Sequence, residues 1–141
     1  MEPKTCVFHS TGKAERLNKT TDKHFTVFKK HVHLWLDHFG LKDWEIIIDH
    51  DIPVSASDAL AACSIDLPQR FARIYLNTTW DDNHPTEQLL KCSAFHEVCE
   101  LMLGEMNTLA KARFATDDEI DSARHAVIAR LYNSIAGEKY R

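Results

Sequence analysis

The feature that most constrains this chain is a change of hydrophobic period at Gly40. From Asp22 onward, Phe25, Phe28, Val32, Trp35, Leu36 and Phe39 recur at the spacing of one face of an α-helix. Thr21 or Asp22 can cap its start, and Gly40 can end it. Beyond Gly40 the run Trp44-Glu45-Ile46-Ile47-Ile48-Asp49 is short and β-branched, bounded by Lys42-Asp43 and by Asp51 and Pro53, as a strand would be. A chain that passes from helical to strand patterning within a few residues is neither all-α nor all-β. Its 141 residues provide for one core.

Ala59 through Leu67 predicts a second strand, broken by Pro68-Gln69, and Phe71 through Asn77 a third. Ala72, Ile74 and Leu76 alternate with Arg73 and Tyr75 in that third strand. Pro85 and Glu87 suit the first turn of a helix running from Pro85 to about Leu103. Thr116-Asp117-Asp118-Glu119 has the form of a capping box, opening a last helix with Ile120, Ala123, Val127, Leu131 and Ile135 on one face. The expected fold is α+β: a small three-stranded sheet, antiparallel or mixed, with an N-terminal helix and two C-terminal helices packed on one face. Residues 1–20 are expected to form an arm, and residues 21–141 a single domain.

Composition narrows the function. A net charge of −4 gives no basic field to attract nucleic acid or an anionic membrane. No apolar run approaches a membrane span, and the polar start Met1-Glu2-Pro3-Lys4 is unlike a secretory signal, so a cytoplasmic protein is expected. The four cysteines are accordingly expected as thiols. Cys92 and Cys99, about 10 Å apart along a shared helix, are too distant for a disulfide.

Nine histidines hint at metal chemistry. The four between Asp22 and Gly40, His24, His31, His33 and His38, fall largely between the apolar positions and read as a solvated face. The sharper signal is Phe95-His96-Glu97-Val98-Cys99-Glu100. His96 and Glu100 lie one turn apart, so two ligands can converge on one ion. Glu97 sits about 100° around the helix, where a general base stands in His-Glu-x-x-His zinc hydrolases. The second ligand is Glu where that motif has His, and zinc accepts carboxylate as well as imidazole. A catalytic zinc site takes three protein ligands, and His125 on the last helix is the candidate for the third. Cys99 with His96 as a nucleophile pair lacks an oxyanion-hole loop, and Asp81-Asp82 with His84 reads as a solvated turn.

These residues carry a resemblance. Trp44-Glu45-Ile46, Ala72-Arg73-Ile74-Tyr75-Leu76, the helix Ala94 through Leu103 and the segment Arg124 through Leu131 resemble, in element order over roughly residues 22–135, small phage-encoded metallopeptidases of the zincin class. The chain departs from their pattern at Glu100. The resemblance implies a zincin-like fold and a metallopeptidase in the host cytoplasm, with Zn2+ held by His96, Glu100 and His125. Glu97 would be the base that activates the metal's water. The substrate would be a peptide or protein paired along the strand 71–77, with Arg73 and Tyr75 as substrate-binding residues. A second reading, favoured by Glu100, is a zincin-like domain that no longer hydrolyses and binds a protein instead.

Overall fold

A computed structural model describes residues 18–51, 58–80 and 83–136. The order of elements is β1 (Asn18–Lys19), α1 (Asp22–His38), β2 (Glu45–Asp49), β3 (Ala61–Asp66), β4 (Phe71–Leu76), β5 (Thr79–Trp80), α2 (Glu87–Met102), α3 (Gly104–Lys111) and α4 (Asp117–Leu131), which runs on into a wider turn at Tyr132–Ala136. The expected α+β class is present.

Local chemistry sets the helix ends. The Thr21 side chain accepts from the His24 amide, while the His24 ring accepts from the Thr21 amide, so His24 fills the place that Glu or Gln takes in a capping box. Gly40 ends α1 with φ +63°, a conformation that suits a residue without Cβ, and its N–H donates to the Asp37 carbonyl. Thr86, one residue after Pro85, caps α2, and Thr116 with Glu119 forms the capping box expected for α4.

The three-stranded sheet has the order β2-β4-β3. β2 runs parallel to β4, with Ile46 opposite Ala72 and Ile48 opposite Ile74, and β3 runs antiparallel to it, with Cys63 opposite Ile74. Directly opposed residues share a face, so Ile46, Ile48, Ala61, Cys63, Ile65, Ala72, Ile74 and Leu76 form the inner side. There they join Phe28, Val32 and Leu36 of α1 and Leu90, Ala94, Val98 and Leu101 of α2 in one apolar cluster. The strand expected to lie at the edge, residues 71–77, is the central one, because both neighbours pair with it. Ala72, Ile74 and Leu76, on its inner face, are fully buried beneath the helices.

Three further departures have physical causes. Residues 18–19 of the expected arm pair with β5, and Thr20 is buried, its hydroxyl donating to the Asn77 carbonyl at 2.7 Å. Trp80, expected in a loop, is fully buried and donates its indole N–H to the Leu60 carbonyl. The connection 104–116 contains α3, whose start is pressed so closely on β3 that a Cβ on Gly104 would lie 2.7 Å from Ile65 Cδ1. Cys92 is disulfide-bonded, and the thiol state expected throughout holds for Cys63 and Cys99. Among the described residues no helix is long and apolar enough to cross a membrane.

Candidate functional site

Helix α2 carries the site, and the angular order of its side chains decides what each one meets. Leu90, Ala94, Val98 and Leu101 face the core. Ser93, Glu97 and Gly104 fall on the adjoining stripe, which meets β3, the edge strand. His96 and Glu100 come next around the helix and reach solvent, their side chains about half exposed. Glu97 is therefore the buried member of the motif and the other two are its exposed members.

His96 Nε2 lies 3.4 Å from Glu100 Oε1. Two ligands at about 2.0–2.1 Å from a tetrahedral zinc ion are separated by about 3.3 Å, so this pair fits two corners of such a shell. The same pair also satisfies itself as an i, i+4 ion pair when the imidazole is protonated.

Glu97 is only 6% exposed. Among the described residues no hydrogen bond reaches its carboxylate. Burial, with a smaller contribution from the negative charge of Glu100, pushes its pKa up to about 8. Across the stripe, burial and the charges of Glu97 and Glu100 push the Cys63 thiol up to about 12. Cys99 is raised too, by burial and then Glu100. High thiol pKa values make poor nucleophiles, in keeping with the exclusion of Cys99 chemistry.

The other expected site residues lie elsewhere. His125 stands on α4 with its side chain 63% exposed, its Nδ1–H donating to the Asp121 carbonyl at 2.8 Å and lying 3.3 Å from the Asp121 carboxylate. The face of α4 that meets the body is formed by Ala123, Ala126, Val127 and Arg130. His125 lies around the helix from that face. Among the described residues no three His, Cys, Asp or Glu side chains converge as a metal-holding group. Arg73 and Tyr75 stand on the outer face of the sheet, away from Glu97, where Arg73 donates to Asp49 at 3.2 Å. Of the turn Asp81-Asp82 and His84, the two aspartates lie outside the described residues.

Sequence reasoning missed Ser93, the buried polar residue one turn before Glu97. A serine among apolar helix positions was its only signal. No known protein family, curated protein or solved structure matches this chain.

Proposed function

We infer that this chain is a metal-dependent hydrolase of zincin-like type acting on peptide substrates. His96 and Glu100 would be two of the metal's ligands and Glu97 the proton acceptor. The observation that carries the reading is the contrast within one helical turn: an exposed imidazole and carboxylate at zinc-ligand separation, beside a buried carboxyl whose pKa burial pushes up to about 8. A general base is most effective when its pKa lies near the working pH. Bound at the pair, zinc would supply a Lewis acid that polarises a carbonyl and acidifies water. Glu97 would take the proton that the attacking water gives up and return it to the leaving amine. The outer edge of β3 pairs with no strand among the described residues, which offers an extended peptide a place to add beside Glu97 and supports β3, rather than β4, as the docking strand.

The second reading is a protein-binding module without hydrolysis. It is favoured by the position of His125, which leaves the pair short of the third protein ligand that a catalytic zinc site takes.

Metal content and cleavage of a denatured protein substrate, measured on the same preparations, separate the two. In the hydrolase, Glu97→Gln keeps its metal and loses turnover by about 10²-fold or more, and Glu100→Gln loses metal and turnover together. His125→Ala retains metal, given its position on α4. Stoichiometric metal with no cleavage by the wild type would transfer the assignment to the binding module, as would absence of metal.

A further inference from the structure

Ser93 is 1% exposed, and its hydroxyl has no hydrogen-bond partner. A serine inside a helix commonly returns its hydroxyl to the carbonyl four residues back, and Ser93 does not. Glu97, one turn on and on the same stripe of α2, likewise has no donor among the described residues. A buried hydroxyl without a partner is uncommon in folded proteins, where nearly every such group is satisfied.

The surroundings limit the partners open to them. Ala61 and Ile65 are apolar, and the Cys63 thiol is a weak donor. Backbone amides within α2 are committed to the helix. Side chains on a helix lean toward its N-terminus, so that of Glu97 extends over the turn that holds Ser93. Residues at i and i+4 on a helix stand about 5–6 Å apart at Cβ, so the rotamer of Glu97 decides whether its carboxyl meets the Ser93 hydroxyl.

We propose that Ser93 is a positioning residue for Glu97: its Oγ–H donates to the Glu97 carboxyl and gives that side chain an inward resting place, from which it swings out toward His96 and Glu100. The proposal rests on the reading of Glu97 as the proton acceptor, and it adds the residue that holds the acceptor before substrate arrives.

The test is carbon NMR of the chain labelled at the glutamate side-chain carboxyl, at one fixed pH with chelator present. The Glu97 resonance is identified as the one lost in Glu97→Gln. It is expected to move in Ser93→Ala and in Ser93→Cys, which preserves shape but removes the strong donor, and to return toward its original position in Ser93→Thr. An unmoved resonance in the Ala and Cys variants overturns the proposal. So does a Cys variant that matches wild type while the Ala variant shifts, since that pattern reports packing alone. A Thr variant that stays at the Ala position also counts against it. The readout uses neither metal nor turnover, so a failure of the hydrolase assignment leaves it intact and separately legible.

Discussion

At the scale of single residues, the burial of Glu97 has a sign that can be measured. Its carboxyl ionises near 4.5 when unperturbed and near 8 in the folded chain. Between those values the folded state holds a proton that the unfolded state has already released, so stability falls as pH rises. The contribution of this group is fully present below about pH 4.5 and lost by about pH 8, an effect on the order of a few kcal/mol. Glu97→Gln removes the group, and its urea midpoint in chelator should therefore decline less than that of the wild type between pH 5 and pH 8.5. Parallel declines would show that Glu97 is solvated. Cys63 follows the same logic as a rate. With its pKa pushed up to about 12, it should resist alkylation at pH 8 in the folded protein and react readily in urea. Fast modification of the folded chain at Cys63 would contradict its placement. This residue-level environment was not legible in the amino-acid string, because the spacing of His96, Glu97 and Glu100 says which residues share a face but not which face meets β3.

Among the elements, α4 depends on one side chain for much of its attachment. Arg130 donates to the Gly40 carbonyl at 2.7 Å and to Asp43 at 2.9 Å, and so ties α4 to the C-terminal end of α1. The α4 residues beneath it are small, Ala123 being the only buried one. Arg130→Ala should cost about 1 kcal/mol, given that Asp43 is half exposed. Hydrogen exchange should locate the loss, with α4 amides losing protection while those of β4 keep theirs. Equal loss in both would mean that α4 is not separable. Gly104 sets the opposite kind of constraint, at the α2–α3 junction. Gly104→Ala should cost about 1–3 kcal/mol, because the added methyl meets Ile65 Cδ1. Adding Ile65→Val, which deletes that carbon, should recover part of the cost in thermal unfolding. No recovery would place the strain elsewhere. The helices with strong capping signals, α1, α2 and α4, could be read from sequence within a residue or two. α3 could not, having no capping side chain. Its place is decided by contact with β3.

For the whole molecule, the class and the order of the main elements follow from hydrophobic period, since Phe28, Val32 and Leu36 and then Ala72, Ile74 and Leu76 show their buried faces directly. Strand order does not follow. Ala72, Ile74 and Leu76 tell only that one face of β4 is covered, whereas its central position is set by pairing with β2 on one side and β3 on the other. The orientation of His125 is not legible for the same reason: chain distance allows a return to α2, whereas the small residues of α4 are the ones that face the body. The sheet order also has a consequence in time. β3 and β4 are joined by the tight turn Leu67–Arg70, with Arg70 at φ +52°, so their hairpin closes a short loop. β2 reaches β4 only after the whole of β3 has been bypassed. Short loops close at lower entropic cost than long ones, so the β3–β4 hairpin should assemble first and β2 should dock last. In a chevron experiment, then, Ile65→Val should slow refolding, whereas Ile48→Val should mainly hasten unfolding, and the reverse pattern would place β2 in the nucleus. The edge that is offered to a peptide would thus belong to the earliest part of the sheet to form, present in the chain before the strand that completes it.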